Sequence, residues 1–251
     1  MPYADVDDAR LYYESAGTGS AVLFAHGAGG NAASWWQQVT AFASDHRVVT
    51  FDHRGFGRSA CDPEQFSPTR FEHDAIAVLD ALGIDRADVV CQSMGGWTGV
   101  RLAAFFPDRV RRLVLANTPG ALFTDALLAR MRELTPRPEG GDLNLLTLGE
   151  PYRRSNPAGA HLYRAISAFN TTPMPLQRLM DRAAFVPPSA LARTPVLMIG
   201  SRLDATFPLA VLEATARLID APLHVVDDAG HSTYFERPDV FNAAVRKFLF
   251  D

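Results

Sequence analysis

A serine, an aspartate and a histidine occur in segments where they could act together on one substrate. Ser93 lies in VVCQSMGGW, Asp204 lies in GSRLDATFP and His231 lies in DAGHSTYFE. A neutral serine hydroxyl is a weak nucleophile and needs a base that takes its proton while it attacks an acyl carbon. Histidine suits this role because its pKa lies near neutrality, and an aspartate can hold the imidazole in the required tautomer. The three residues predict acyl transfer through a covalent intermediate on Ser93.

This chemistry also requires fixed N–H donors for the oxygen of the attacked carbonyl, which becomes negative in the transition state. Such donors typically contribute a few kcal/mol each, or roughly 2.7–4 kcal/mol. One predicted donor is the backbone N–H of Met94, at the start of the helix that follows Ser93. The other should lie just after His26 and Gly27, with Ala28 as the first choice and Gly29 as the alternative.

Each of these residues also has a common structural explanation. Ser93 could simply cap a helix, Asp204 could cap a helix or a turn, and His231 could be a turn histidine. The three residues together are harder to explain by coincidence, because a serine, an aspartate and a histidine must each follow a predicted strand, and in this order along the chain. A second cluster of acidic and basic residues at 52–59, DHRGFGRS, is better explained by loop structure, with Asp52 bonding the loop backbone or pairing with Arg54.

Cys91 departs from the usual G-x-S-x-G pattern of a nucleophile elbow, in which small residues allow a tight, strained turn. Cysteine is among the smaller side chains, and its place at the end of an apolar strand predicts burial in the core. We therefore expect Ser93, and not Cys91, to be the nucleophile.

Short apolar runs alternate with segments of helical periodicity, and these elements must position the candidate side chains. Near-continuous apolar runs are typical of strands buried on both faces, and they occur at 21–25, 47–51, 87–91, 112–116, 195–199 and 223–226. The helical segments are 35–42, 71–82, 94–106, 209–219 and 240–249. An alternating stretch near 11–14 predicts half of a hairpin. The fold class is therefore α/β, with a mostly parallel central sheet and helices on both faces.

Residues 119–193 interrupt this alternation and contain no convincing buried strand. The segments ALFTDALLARMREL, GAHLYRAISAF and MPLQRLMDRAAF predict short amphipathic helices, separated by clusters such as TPRPEGGD and RSNPAG. The stretch is too long for an ordinary loop, and we expect a helical cap over the sheet edge. The predicted organisation is a core domain in two parts, 1–118 and 194–251, with the cap at 119–193 between them.

Composition excludes several classes of function. The 251 residues suit one α/β domain with an insertion, and a net charge of −4 predicts no nucleic-acid or membrane partner. The two cysteines, Cys61 and Cys91, predict neither a disulfide framework nor a paired-cysteine metal site. No phosphate loop, dinucleotide fingerprint or HExxH motif suggests a cofactor or a metal. The acidic N-terminus has no leader pattern, so we expect a cytoplasmic monomer or homodimer that acts on a small molecule.

Five motifs carry a resemblance to the α/β-hydrolase superfamily that runs almost from end to end. They are HGAGGN, DHRGFGRS, QSMGG, GSRLDATFP and DAGHSTYFERPDVFN. Together with GIDRADVV and FFPDRVRRLVLANT, they resemble the small bacterial branch of esterases, enol-lactonases and carbon–carbon bond hydrolases. The resemblance implies the α/β-hydrolase fold and a triad of Ser93, Asp204 and His231.

The sequence thus predicts a cofactor-free serine hydrolase that cleaves a small, largely apolar ester or lactone. The alternative within enzymes is hydrolysis of a carbon–carbon bond in a β-diketone or vinylogous ketone. A different class is a ligand receptor with an intact triad, as some members of the superfamily are. Sustained turnover of an acyl substrate would favour an enzyme over a receptor.

Overall fold

A mixed eight-stranded sheet organises residues 2–134 and 146–250, the parts of the chain that this computed structural model describes. The strands are β1 Tyr3–Val6, β2 Ala9–Ala16, β3 Ala21–Ala25, β4 Arg47–Phe51, β5 Ala87–Gln92, β6 Val110–Ala116, β7 Val196–Ser201 and β8 Leu223–Val226. Their order in the sheet is β1-β2-β4-β3-β5-β6-β7-β8. β1 and β2 form an antiparallel hairpin at one edge, and β3 to β8 run parallel.

Helices cover both faces of the sheet. They are α1 Trp36–Phe42, α2 Phe71–Ala81, α3 Gly95–Phe105, α4 Asp125–Leu134, α5 Glu150–Ser155, α6 Pro157–Ser167, α7 Leu209–Leu218, α8 Thr233–Glu236 and α9 Pro238–Phe250. Successive strand residues point to opposite faces, so Leu23 and Phe24 belong to two different apolar cores. α2, α3 and α7 pack on the first core, and α1 and α9 pack on the second. The predicted α/β class is confirmed.

The observed boundaries of the strands and helices agree closely with those predicted from the sequence, except within residues 119–193. The six apolar runs correspond to β3 to β8, and each of the five helical segments overlaps a helix. The prediction of an amphipathic helix over 174–185 is wrong. That stretch forms two 3₁₀ turns, Leu176–Met180 and Arg182–Ala184, separated by an extended Asp181. The extended backbone at Asp181 interrupts helical hydrogen bonding between the two turns.

The described residues of 119–193, which we call the insert, contain α4, α5, α6 and 3₁₀ turns, and no strand. The cluster TPRPEGGD lies outside the described residues. In the cluster RSNPAG, α5 ends at Ser155 and α6 begins at Pro157, and the side chain of Asn156 accepts a hydrogen bond from Gly159 N–H. Among the described residues, no helix is long and apolar enough to cross a membrane.

Candidate active site

Ser93, His231 and Asp204 come together in one hydrogen-bonded row at the carboxyl ends of the parallel strands. His231 Nε2 lies 2.9 Å from Ser93 Oγ, and His231 Nδ1 lies 3.0 Å from both carboxylate oxygens of Asp204. The carboxylate requires a proton on Nδ1, so Nε2 is free to accept the hydrogen bond of the serine hydroxyl. Asp204 and His231 are both buried, and Ser93 is partly accessible. The row has the geometry of a nucleophile, a base and an orienting acid.

Ser93 occupies a strained turn between β5 and α3. Its φ is +50°, a left-handed conformation that non-glycine residues rarely adopt. Its N–H donates to Ala116 O at 3.1 Å, so the turn is fixed to the end of β6. The neighbouring backbone is very close: a Cβ on Gly95 would lie 2.1 Å from Ala25 O, and one on Gly27 would lie 2.9 Å from Ser93 Cβ. Small residues at these places allow the loop after β3 to pass beside the serine.

Cys91 lies in the first apolar core and not in the site. It is fully buried, and the space beyond its sulfur is occupied by the backbone of Gly99 on α3, since a Cβ there would come within 2.5 Å of Cys91 Sγ. Burial raises the pKa of the Cys91 thiol well above its usual value, which suppresses the reactive thiolate. Its side chain packs α3 against β5.

The loop after β3 forms a tight turn whose peptide groups are held at both ends. Gly30 N–H donates to Gly27 O at 3.0 Å, and Gly29 has a φ of +83°, as the third residue of a type II turn requires. His26 Nδ1 lies 2.8 Å from the same Gly27 oxygen. Because a trans peptide places its C=O and N–H on opposite sides, anchoring Gly27 O directs Ala28 N–H to the other side.

The N–H groups of Ala28, Gly29 and Met94 donate to no acceptor within residues 2–134 and 146–250. Met94 directly precedes α3, and Ala28 and Gly29 lie in the turn beside Ser93. These are the three residues that the sequence suggested as oxyanion donors.

His26 fixes the position of the turn through hydrogen bonds at both of its ring nitrogens. Its Nε2 accepts a hydrogen bond from His53 N–H at 2.9 Å, so the ring proton resides on Nδ1 and is donated to Gly27 O. Complete burial lowers the pKa of His26 to about 4, and it also lowers that of His53. Both rings are therefore neutral at neutral pH, and they act as structural links between the loops that follow β3 and β4.

Asn117, which the sequence did not single out, orients Asp204. Its Nδ2 donates to Asp204 Oδ2 at 3.0 Å and to Ser201 Oγ at 2.8 Å, and its Oδ1 accepts from Thr233 Oγ1. The other carboxylate oxygen accepts the backbone N–H groups of Thr206 and Phe207. The signal in the sequence was the position of Asn117, directly after β6 at the same edge as Ser93 and Asp204.

Glu236 joins the histidine loop to the insert, a role that its place in the motif DAGHSTYFERPDVFN did not predict. Its buried carboxylate accepts the N–H of Gly230, which precedes His231, and the N–H of Gly149 in the insert, each at 3.0 Å. Burial raises the pKa of Glu236, while these N–H bonds and the nearby His231 favour its charged form. The carboxylate thus fixes the backbone on which His231 stands.

The acidic and basic cluster at 52–59 bonds its own loop. Asp52 accepts the N–H groups of Ala32 and Arg58, at 2.6 and 2.7 Å. Arg54 pairs with Asp74 on α2 and not with Asp52. Burial raises the pKa of Asp52, and the carboxylate has no contact with the serine row.

A serine on a strained strand-to-helix turn, an acid and a histidine on later loops, and a parallel sheet below them define the α/β-hydrolase fold. The chain belongs to the alpha/beta hydrolase family, whose sequence model matches residues 22–244. It is an enzyme of the α/β-hydrolase type.

Individual relatives act on different substrates. A chain from Azorhizobium caulinodans, provisionally assigned as the carbamate hydrolase RutD, is 34% identical over 266 residues, which cover 99% of this chain and 98% of that one. The 2-hydroxymuconate semialdehyde hydrolase of Pseudomonas sp. strain CF600 is 33% identical, covering 96% and 90%. The crystal structure of the enol-lactonase from Burkholderia xenovorans LB400 aligns with a TM-score of 0.79 at 26% identity, covering 100% of both chains.

Proposed function

We propose that this protein is a serine hydrolase that cleaves small, largely apolar carboxylic esters or lactones through an acyl-enzyme on Ser93. The observation that carries the proposal is the continuous row from Ser93 Oγ through His231 to Asp204, at 2.9 and 3.0 Å. These distances allow proton transfer from the serine without rearrangement of the site.

In the acylation step, Ser93 Oγ attacks the carbonyl carbon and its proton passes to His231 Nε2. Asp204 stabilises the imidazolium that forms. The carbonyl oxygen becomes negative and receives hydrogen bonds from Met94 N–H and from Ala28 N–H or Gly29 N–H. When the tetrahedral intermediate collapses, His231 gives its proton to the leaving oxygen, which departs as an alcohol or, in a lactone, stays attached to the acyl chain.

Deacylation repeats these steps with water as the nucleophile. His231 Nε2 takes a proton from the water as it adds to the acyl carbon, and the same N–H groups stabilise the second oxyanion. Collapse releases the carboxylic acid and returns the proton to Ser93 Oγ. No group beyond the triad and the backbone donors is needed for the cycle.

The surroundings of the serine favour an apolar acyl group. The Phe207 ring lies 5.8 Å from the His231 ring, between ring centres. The likeness to an enol-lactonase over the whole chain supports a lactone as one such substrate.

We also propose that the insert acts as a cap over the site, between the two core parts 1–118 and 194–251. Its support is that the insert bonds to the loops that hold the reacting groups, at Gly149 to Glu236 and at Tyr163 OH to Ser232 Oγ, 2.9 Å apart. The cap would then shield the acyl-enzyme from bulk water and select substrates by size.

The second candidate is hydrolysis of a carbon–carbon bond. It draws its support from the relative that is named a 2-hydroxymuconate semialdehyde hydrolase, at 33% identity over 96% of this chain. The same serine and histidine would serve such a reaction, and the substrate alone would differ.

The test is a panel of substrates run on the wild type, on Ser93→Ala and on Ser44→Ala, an exposed serine outside the site. The panel contains short acyl esters, enol-lactones, an aryl carbamate and a β-diketone. We expect ester and lactone turnover that Ser93→Ala lowers by at least about 10³-fold and Ser44→Ala leaves unchanged. A fluorophosphonate should label Ser93 with one equivalent.

Turnover of the β-diketone alone would favour the second candidate. A wild type that turns over none of the compounds and is not labelled at Ser93 would overturn the proposal. Labelling that stops after one slow hydrolysis would instead indicate a ligand receptor.

A further inference from the structure

Asn170 lies three residues beyond the end of α6 and connects the insert to the turn of residues 27–30, which we call the oxyanion loop. Its Nδ2 donates to Gly29 O at 2.8 Å and to Gly30 O at 3.2 Å, and its Oδ1 accepts Gly57 N–H at 2.8 Å. We propose that Asn170 is a positioning residue that aims the oxyanion donors, so that transition-state stabilisation depends on a contact made by the insert. This inference deepens the proposed function and rests on it.

Peptide geometry explains why this contact matters. The turn is closed by Gly30 N–H to Gly27 O, and the peptide that supplies this N–H has Gly29 O at its other end. Asn170 holds Gly29 O, so both ends of that planar peptide are fixed. His26 fixes Gly27 O, so Ala28 N–H belongs to one anchored peptide and Gly29 N–H to the peptide that lies between the two anchored ones.

The left-handed φ of Gly29 makes the turn sensitive to a lost anchor. Glycine reaches a φ of +83° at little cost, but it also reaches many other conformations with similar ease. A turn with glycines at 27, 29 and 30 therefore has little internal stiffness. Its geometry must be imposed by outside partners, and Asn170 supplies two of the hydrogen bonds.

A second hydrogen bond, donated from the core to the insert, shows that the oxyanion loop and the end of α6 form an extended interface. Asn31, directly after the turn, donates from Nδ2 to Ile166 O at the end of α6, at 2.9 Å. The side chain of Ser167 also lies over the turn, because a Cβ on Gly29 would come within 3.4 Å of Ser167 Oγ. The end of α6 and the oxyanion loop thus hold each other through side chains from both.

The insert is also attached elsewhere, so the role of Asn170 is separable from folding. Trp97 Nε1 donates to Leu179 O at 2.9 Å, and Arg101 donates to Ala184 O at 3.0 Å. Glu236 holds Gly149. Removing the Asn170 side chain should therefore leave the insert in place while it frees the second half of the turn.

Two variants separate the contacts of Asn170. Asn170→Ala removes all three hydrogen bonds. Asn170→Asp keeps an acceptor for Gly57 N–H but cannot donate to Gly29 O or Gly30 O, and it places a negative carboxylate against them. Asn156→Ala is the matched control, since it removes an asparagine cap at the other end of α6, far along the helix from the turn.

The measurements are kcat and KM on the best ester of the panel, and the inhibition constant of a boronic acid with the same acyl group. The serine oxygen adds to the boron, its proton passes to His231, and an oxygen on the tetrahedral boron occupies the place of the oxyanion. We expect kcat to fall roughly 10-fold to 100-fold in both Asn170 variants, less than or equal to the loss from deleting one donor. Boronate affinity should fall in parallel, while KM changes less than about threefold.

Asn156→Ala should keep kcat and boronate affinity, and all variants should unfold in one cooperative thermal transition. Unchanged kcat in both Asn170 variants, or full activity in Asn170→Asp, would overturn the inference while wild-type turnover upholds the proposed function. Equal losses in Asn156→Ala would overturn it as well, because they would trace the effect to the stability of α6. A wild type without turnover or labelling of Ser93 would overturn the proposed function and the inference with it.

Discussion

Cys91 and Gly99 fit each other across the contact between β5 and α3. A Cβ on Gly99 would stand 2.5 Å from Cys91 Sγ and 2.6 Å from Leu113 Cδ1. We expect Gly99→Ala to lower the free energy of unfolding by about 1–3 kcal/mol through overpacking, and Cys91→Ala to lower it by roughly 1 kcal/mol through lost burial. In the double variant the new methyl enters the space of the missing sulfur. Its loss of stability should therefore be about 1 kcal/mol smaller than the sum of the two single losses.

Urea denaturation of the four chains measures this coupling, and turnover supplies a second readout. Cys61→Ala, at a partly exposed cysteine, is the control and should change stability little. We expect kcat to be retained in Cys91→Ala, because the sulfur faces the core and not Ser93. Strictly additive losses would contradict the packing argument, and a folded but inactive Cys91→Ala would contradict the assignment of Ser93 as nucleophile.

Asn117 should affect turnover indirectly, through its hydrogen bond to Asp204. Its φ is +51°, so glycine is a better probe than alanine, which would add backbone strain at this position. Asn117→Gly removes the hydrogen bond to Asp204 and leaves one carboxylate oxygen without its amide donor. We expect kcat to fall about tenfold or more as the acid loses its fixed orientation, with KM little changed.

Steady-state kinetics beside Asn242→Ala tests this expectation. Asn242 accepts a hydrogen bond from Gln38 Nε2 on α1, in a part of the fold that does not touch the serine row. The control should therefore lose stability without losing kcat. Equal kcat values for wild type and Asn117→Gly would show that the two backbone N–H groups on Asp204 suffice.

At the scale of elements, His26, which directly precedes the oxyanion loop, makes the free energy of unfolding depend on pH. Burial lowers its pKa to about 4 in the folded protein, against an ordinary value of 6.5. Below pH 6.5 the unfolded chain therefore binds a proton that the folded protein refuses, and the free energy of unfolding falls as pH falls towards 4. The difference of 2.5 between the two pKa values corresponds to about 3 kcal/mol over this range.

Urea denaturation at pH 7, 6 and 5 checks this contribution by difference. His26→Gln keeps a donor and an acceptor but cannot titrate, so its disadvantage relative to the wild type should shrink by about 2 kcal/mol between pH 6.5 and 5. Subtraction removes the effects of groups that do not contact His26, such as Asp52, whose raised pKa acts in the opposite direction. His53 contacts His26, and the two are read together in this difference. His161→Gln, at an exposed histidine, is the control for the replacement of a histidine by glutamine. A difference that stays constant from pH 7 to 5 would refute the role of His26.

The elements of the core were predictable because their signals are local. Strands such as β3 and β5 are buried on both faces, so their apolar runs stand out against the polar turns around them. The insert was harder, because the stretch 174–185 is apolar enough to suggest one helix, although the extended backbone of Asp181 divides it into two 3₁₀ turns. Its boundaries depend on packing against α3 and not on periodicity.

The row of Ser93, His231 and Asp204 could be anticipated because each member follows a strand in a characteristic segment. The residues that hold this row and the oxyanion loop have weaker signals: Asn117 directly follows β6 but lies in none of the five motifs, and Asn170 follows no strand. Asn170 reaches Gly29 across 141 positions of sequence, and Asn117 reaches Asp204 across 87. An asparagine in a turn is common for local reasons, and only the folded chain shows which carbonyl or carboxylate its amide meets.

At the scale of the whole molecule, the insert and the core are joined by buried polar groups at several places. Arg101 on α3 forms a two-pronged pair with Glu72 on α2, at 2.6 and 2.8 Å, and also donates to Ala184 O in the insert. Releasing the insert would leave a charged, buried network without one of its acceptors, which is costly in a low-dielectric interior. The insert should therefore not detach while the core stays folded.

We accordingly expect a single unfolding transition, although chains above about 150 residues often unfold in steps. Far-UV circular dichroism reports mainly on the core elements, whereas tryptophan fluorescence includes Trp97, whose indole donates to Leu179 O at the junction. The two midpoints in urea should coincide. Trp97→Phe identifies the share of the fluorescence change that arises at the junction, because the other two tryptophans, Trp35 and Trp36, lie at α1. A fluorescence transition at lower urea that disappears in Trp97→Phe, with circular dichroism unchanged, would show that the insert opens on its own. The polar contacts that join the insert to the core would then be too weak to make one cooperative unit.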